Sequence, residues 1–363
     1  MIRLTVPGLA DAEVDAVARV LRSGMLVQGA EVARFEEGVA AKTERAHAVA
    51  VTNGTAALEL ALRALDIGAG DEVLVPDVTW PSPAHAVLAV GAKPVLVDVD
   101  AHEWNATPEA FRRARTSATR AAIAIDQFGM PARIPEIAVA LPGLPIVEDA
   151  ACAIGSRRAD GPCGKGSVIA TFSFHPRKVL VTGEGGMCVT DDAALADRLR
   201  ILRNHGQRSV GEFASGSGNT RMTEMAAAIG SVQLGRLDAM LERRQHLALR
   251  YQSKLTRVST QRAPEGASSN WQTFGVLLPA GKVADDRDRV VASLRNRGVE
   301  AGRLSYALHR LPHLAAFAQA KMFDAANDIV DRGFALPLYA SMDDATQDHV
   351  LDALDHSLDE VLA

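Results

Sequence analysis

The chain has 363 residues, of which 48% are apolar and 23% charged, and a formal net charge of −5. The length suggests two domains, and the composition is that of an ordinary globular protein. The mildly acidic balance gives no basic field for nucleic acid, and no apolar run is long enough to span a bilayer.

Residues 10–23 set Val14, Val17, Ala18 and Leu21 at helical spacing, with Gly24 as a stop. The segment SGMLVQG then leads to a second helix over residues 31–43. AHAVAV, residues 46–51, reads as a strand that runs through TNGT into an apolar-faced helix, ALELALRAL. Six further apolar runs follow at residues 72–76, 93–99, 121–125, 145–149, 168–174 and 186–190. Most are near-continuously apolar, as expected of strands covered on both faces. Helical patterns lie between several of them, at residues 83–90, 108–115 and 135–141. This alternation predicts an α/β large domain with a central, mostly parallel seven-stranded sheet flanked by helices. Residues 192–204 read as a helix, 211–218 as a Gly/Ser-rich loop, and 223–255 as one long helix with Thr223 as N-cap. WQTFGVLL is a strand, residues 285–297 a helix, and a second strand lies near residues 299–306. Residues 343–362 close the chain as a helix. The expected division is a large domain over residues 1–245 and a smaller C-terminal α+β domain over 246–363.

Five stretches carry chemistry. In TNGTAAL, Gly54 lets the backbone approach a ligand closely, and free amides at a helix start can hold a phosphate. The competing reading is that Asn53 and Thr55 only cap the helix. In PDVTWPSP, Trp80 is stiffened by flanking prolines and offers its face to a flat ligand, or else fills the core. In VEDAACAIGS, Glu148 and Asp149 arrive at the carboxyl end of the sheet, where open α/β sheets bind ligands. A carboxylate there can hold a proton on a ring nitrogen, or merely cap the next turn. In SFHPRKVLVTGEGG, Lys178 sits in a short loop between two apolar runs, an enclosed setting suited to a Schiff-base amine. The bland alternative is a solvated loop lysine. In SGSGNTRMTE, Asn219 and Arg221 lie between a glycine-rich loop and the long helix. Taken in order, these are the parts that pyridoxal 5′-phosphate (PLP) requires.

With those residues in place, the chain resembles the PLP-dependent fold type I sugar aminotransferases of the DegT/StrS type. The resemblance runs through SGMLVQGAEVARFEE, VAVTNGTAALELAL, DEVLVPDVTW, VEDAACAIGS, TFSFHPRKVLVTGEGGM, LRNHG, NTRMTEMAAAIGSVQL and FALPLY. It implies that Lys178 is the Schiff-base lysine and Asp149 the partner of the pyridine nitrogen. Trp80 would stack on the ring, and Gly54, Thr55 and Ser173 would hold the phosphate. Asn219 would reach the phosphate of the neighbouring subunit, which implies a homodimer with shared active sites. Cys152 would stand beside the cofactor where the family often has Gln or His. Asp126 stands where the family often has His, and Thr220 where it has Tyr.

The implied activity moves an amino group from L-glutamate to a keto sugar, usually a nucleotide-linked 3- or 4-keto-deoxysugar, in amino-sugar and polysaccharide biosynthesis. Met25, Leu26, Gln28, Glu184, Arg303 and His309 are the candidates for substrate contact, each with a structural reading beside it. No metal is expected. A sugar dehydratase of the same fold would have the lysine replaced, typically by histidine, and a keto-cyclitol aminotransferase would differ only in acceptor. A non-catalytic PLP-binding regulator would carry a DNA-binding domain or a basic stretch. A dinucleotide-binding dehydrogenase would need G-x-G-x-x-G after an early strand, which TNGTAAL does not supply. Cys152, Cys163 and Cys188 show no metal spacing and read as reduced thiols. The N-terminus has no apolar signal-type core, so a cytoplasmic location is expected.

Overall fold

The computed structural model describes residues 1–318 and 322–362. The seven apolar runs form one sheet. Its strands are β1 (His47–Val51), β2 (Glu72–Pro76), β3 (Lys93–Val97), β4 (Thr119–Ile125), β5 (Ile146–Asp149), β6 (Ile169–Ser173) and β7 (Gly186–Thr190). Their spatial order is β1-β7-β6-β5-β4-β2-β3, and only β7 runs against its neighbours. The fold is therefore the expected α/β type. Because six strands point the same way, their carboxyl ends share one edge, the edge at which ligands collect.

Helices cover both faces. The N-terminal pair, α1 (Asp11–Ser23) and α2 (Ala30–Lys42), precedes the sheet. Five more follow strands: α3 (Gly54–Ala64), α4 (Ser82–Ala89), α5 (Pro108–Ala114), α6 (Ile134–Ala140) and α7 (Ala193–Arg203). The long helix expected over residues 223–255 is two helices, α8 (Glu224–Gly235) and α9 (Leu237–Lys254). Arg236 breaks it, with φ −108° and ψ 1°. Gly235 weakens the helix there, and the Arg236 guanidinium is drawn to the Gly8 carbonyl and the Glu13 carboxylate.

Beyond α9 come β8 (Ser259–Thr260), β9 (Phe274–Leu277), α10 (Ala284–Asn296), β10 (Gly302–Arg303), α11 (Asp324–Arg332), β11 (Gly333–Leu336) and α12 (Asp344–Leu362). The four strands form an antiparallel sheet in the order β8-β9-β11-β10. The sequence reading lacks α11 and β11. They abut at Arg332 and Gly333 with no loop between them, and the strand is only four residues long. Leu247, Tyr251, Phe274, Leu294, Phe334 and Leu354 are among the residues of a separate apolar cluster here. Ile2 joins it by pairing with Val299. A second link is a short antiparallel ribbon between Val78–Thr79 and Tyr306–Ala307, which fixes the C-terminal part beside Trp80.

Candidate active site

The turn after β1 sets up an anion cup. Asn53 caps α3: its side chain accepts from Ala56 N–H at 2.9 Å, and its carbonyl from Ala57 N–H at 3.1 Å. The capping reading is thus correct for Asn53, and it leaves the Gly54 and Thr55 amides as first-turn donors outside its reach. Ser173, at the end of β6, faces this turn; a Cβ on Gly54 would lie 2.8 Å from Ser173 Cβ and 3.3 Å from its Oγ. Strand β7 passes equally close, because a Cβ on Gly186 would run into the Asn53 carbonyl. The Thr55 hydroxyl lies 2.8 Å from that of Ser82. Two helix-terminal amides and nearby hydroxyls form the donor set that a phosphate uses.

Lys178 lies in the loop between β6 and β7. The loop is closed at its base by Phe174 N–H to the Gly185 carbonyl and Thr182 N–H to the Phe174 carbonyl, both 2.8 Å. Lys178 N–H donates to the His175 carbonyl at 2.8 Å, and the half-buried side chain brings Nζ to 2.9 Å from Cys152 Sγ. Asp149, the last residue of β5, is 6% exposed. Burial pushes its carboxyl above the usual range; the Ala151 N–H and the Lys178 charge pull it back, while Glu148 pushes it up. Lys178, Cys152 and Asp149 are thus one group. Trp80 is 61% exposed, so it does not fill the core, and its ring meets Tyr306 edge-on at 5.6 Å. The core tryptophans are Trp104, at 1%, and Trp271, at 7%.

Glu148 points the other way. It is fully buried and receives Arg158 at 2.7 Å, Gly164 N–H at 2.9 Å and the Ser167 hydroxyl at 3.0 Å. Asp126, just past β4, lies beside it. Its N–H donates to the Asp149 carbonyl at 3.1 Å, and its Oδ1 accepts Ala132 N–H at 2.7 Å. Its Oδ2 is buried without a hydrogen-bond partner. Donor atoms of Asp126, Glu148 and Cys163 lie within 4.8 Å of one another, and Arg158 supplies the positive charge among them. Burial, then Glu148, drives the Asp126 carboxyl well above its usual range, against the pull of Arg158.

The remaining expected residues are less tightly gathered. Asn219 is exposed, its Oδ1 accepting Arg221 N–H at 3.3 Å; the adjacent Thr220 carbonyl holds Thr52 N–H at 2.8 Å, beside the phosphate-type turn. Met25, Leu26 and Gln28 are exposed, and the Leu26 carbonyl is held by Glu224 N–H at 2.9 Å. Glu184 is exposed in the lysine loop, and Arg303 is exposed near Asp288 at 3.5 Å. His309 is engaged inside the fold: Nδ1 lies 2.7 Å from Asp77 Oδ2, its N–H donates to Asp77 Oδ1 at 2.8 Å, and its ring stacks on Phe323. Four further residues shape the site without having been singled out. Asp77 and Ser82 lie inside PDVTWPSP, the stretch quoted for Trp80. Glu224 caps α2 through the amides of Gly29, Glu31 and Val32, at 2.8, 2.9 and 3.0 Å. Asn270 donates to the Cys152 and Ile154 carbonyls, at 2.8 and 2.9 Å, and no sequence signal marks it.

A model of the DegT/DnrJ/EryC1/StrS aminotransferase family matches residues 7–355. The chain belongs to that family. It is 33% identical to the dTDP-4-dehydro-2,3,6-trideoxy-D-glucose 4-aminotransferase of Saccharopolyspora spinosa, over 99% of this chain and 98% of that one. Among solved structures, S. venezuelae DesV superposes with a TM-score of 0.90 at 35% identity, covering 95% of this chain and 94% of that one. Spr1654 of Streptococcus pneumoniae, solved in its PLP form, gives 0.92 at 25% identity, covering 99% of each chain. As a member of the DegT/DnrJ/EryC1/StrS family the protein is a PLP-dependent sugar aminotransferase of amino-sugar biosynthesis. The donor set fits that cofactor: an anion cup at α3, a buried carboxylate at β5, and a lysine and an exposed indole at the same strand edge. No helix among the described residues is long and apolar enough to cross a membrane.

Proposed function

We propose that the enzyme moves the amino group of L-glutamate onto a nucleotide-linked 3- or 4-keto-deoxysugar. The observation that carries the chemistry is Lys178, whose Nζ reaches Cys152 at the end of the loop while its charge is felt by Asp149. The acceptor class is supported by the name of the Saccharopolyspora relative, a dTDP-linked 4-dehydro sugar aminotransferase.

PLP, when bound, supplies the electron sink for charge developing at the donor Cα. Lys178 would hold the cofactor through Nζ, and the same amine is placed to move the proton at the donor Cα. The Asp149 carboxylate would keep a proton on the ring nitrogen. Gly54 and Thr55 would bind the phosphate through backbone N–H groups, with the hydroxyls of Thr55 and Ser173 beside them. Trp80 would cover one ring face with an indole that is already exposed and unspent in the core. Cys152 holds the Lys178 amine. Met25, Leu26, Gln28, Glu184, Arg303 and His309 remain the substrate-contact proposals, His309 acting through the segment it anchors on Asp77. The dehydratase reading loses support because Lys178 is retained.

We assign the enzyme as a homodimer in which Asn219 reaches the neighbouring subunit's phosphate. Two features support this: Asn219 is exposed, and Val14, Leu21, Met25, Leu26 and Val27 are exposed on α1 and the segment after it. The three free cysteines support a cytoplasmic location. The apolar cluster beyond Leu247 supports reading residues 1–245 and 246–363 as large and small domains.

The test is optical and chemical. The purified holoenzyme should be yellow, and L-glutamate should bleach it with release of one 2-oxoglutarate per chain. Lys178→Ala should lose turnover by at least ~10²–10⁴-fold from proton transfer alone. A colourless protein that PLP cannot reconstitute, or ordinary turnover in Lys178→Ala, overturns the assignment.

A further inference from the structure

Next to the lysine loop lies a cavity of about 90 Å³ between that loop, the N-terminal segment and the β9-β11-β10 sheet. Its polar lining is Arg177, Arg303, Thr5, Gln272 and Thr273, over a floor of leucines, Ala335 and Phe274. The lining holds two guanidinium groups and no carboxylate. Arg177 is exposed and has no ion pair among the described residues, while Arg303 has only the 3.5 Å contact with Asp288, both side chains being open to water. Glu300, the nearby acid of the N-terminal junction, is turned to Leu4 N–H at 3.0 Å. The Arg177 backbone is anchored: Gln272 Nε2 donates to its carbonyl at 2.8 Å, so the loop that carries Lys178 is tied to the cavity wall.

Arg177 is unpaired among the described residues and Arg303 has one long, solvent-exposed contact, so an anion between the two guanidinium groups meets little competition from carboxylates of the fold. An apolar floor strengthens the attraction, and guanidinium groups grip planar or tetrahedral oxyanions through paired N–H donors. At about 30 Å³ per water, the cavity has room for one carboxylate or one phosphoryl group. We infer that Arg177 and Arg303 form an oxyanion subsite beside Lys178, which takes a single carboxylate or phosphoryl group of a substrate. The inference rests on the aminotransferase reading and deepens it. The group has two possible sources, the amino donor's carboxylate and the acceptor's phosphate.

The first measurement needs no turnover. The holoenzyme, its phosphate cup filled by PLP, is heated with increasing inorganic phosphate at constant ionic strength. The melting temperature of the wild type should rise with phosphate, and that of Arg177→Gln and Arg303→Gln should not. An equal shift in all three proteins, or no shift in any, overturns the subsite. The second measurement separates the sources. Half-saturating L-glutamate for bleaching should rise about tenfold in each variant, the loss of ~1.4 kcal/mol, with the maximal rate within about twofold as befits a binding group. L-Alanine, which lacks the second carboxylate, should be unaffected if that carboxylate is the guest. A rise confined to KM for the keto sugar nucleotide assigns the subsite to the acceptor's phosphate instead. Less than a twofold change in both substrates overturns the inference. A wild type that glutamate never bleaches, yet shows the arginine-dependent phosphate shift, leaves the subsite standing and refutes the transaminase reading.

Discussion

Asp126→Asn should make this enzyme more stable in alkali than the wild type, although it removes a charged residue from beneath the active site. Asp126 is fully buried, Glu148 is its neighbour, and one of its oxygens has no partner. Its carboxyl is pushed well above the ordinary range by burial, then by Glu148. An unfolded Asp titrates near 3.9, so between that value and the raised folded one the native state keeps a proton that the unfolded state has released. The wild type therefore loses stability as pH rises through this window, at about 1.4 kcal/mol per unit of raised pKa. Asn does not titrate and presents the donor that a protonated Asp presents. Near pH 4 the two proteins should be close to equal. At pH 8 the variant should gain about 1–3 kcal/mol, the scale of one buried unsatisfied polar atom. At roughly 2 °C per kcal/mol for a chain longer than 200 residues, this is a shift of a few degrees. The assay is thermal unfolding of both holoenzymes from pH 4.5 to 9 at saturating PLP. A melting-temperature difference that is flat with pH, or that favours the wild type in alkali, refutes the reasoning. Turnover should stay within a few fold, since the Asp126 N–H to Asp149 carbonyl bond survives the change.

Two other outcomes follow from packing around the site. Cys163 and Cys188 are buried, Cys163 with its thiol pushed well up by burial and Cys188 pushed up to about 12. A thiol reagent at pH 8 should therefore modify one cysteine per native chain, Cys152, more slowly with PLP bound; two fast thiols would contradict the packing. Gly186→Ala drives a Cβ into the backbone of Asn53 and Gly54, which cannot rotate away. It should cost about 1–3 kcal/mol and weaken PLP binding, whereas unchanged melting and an unchanged PLP titration would show that β7 does not brace the phosphate turn.

What the sequence made legible depends on how local the cause is. Strands buried on both faces must be apolar at nearly every position, so β1 to β7 stand out, with ends within two residues of expectation. Gly54 was legible as a close-approach glycine, and the Ser173 side chain is what crowds it; Gly186, which packs on the Asn53 backbone, was not singled out as one. The α8–α9 break had one local signal, Gly235, which the sequence reading passed over; the partners that draw Arg236 away lie more than 220 residues off. His309 was visible as a histidine but not as the partner of buried Asp77, which lies 232 positions off. Asn270 and Glu224 act the same way, by satisfying distant backbone groups, and a polar residue serving a remote carbonyl or amide looks like any surface residue in the sequence.

The VED run shows how one strand end can serve both fold and chemistry. Successive strand residues face opposite sides of a sheet, so Glu148 and Asp149 cannot share an environment. Glu148 turns to Arg158, Gly164 and Ser167, and its charge is neutralised there by a guanidinium and hydrogen bonds. Asp149 turns to the lysine loop, where only Ala151 N–H and the Lys178 charge oppose its burial. Glu148 raises the Asp149 carboxyl less than burial does. Asp149 therefore faces the lysine loop, while its neighbour holds Arg158, Gly164 and Ser167 beneath it. Cutting the Glu148–Arg158 pair would strand a buried charge, at about 3–5 kcal/mol, and would reach the chemistry only through the fold. Loss of the Asp149 carboxylate would do the reverse.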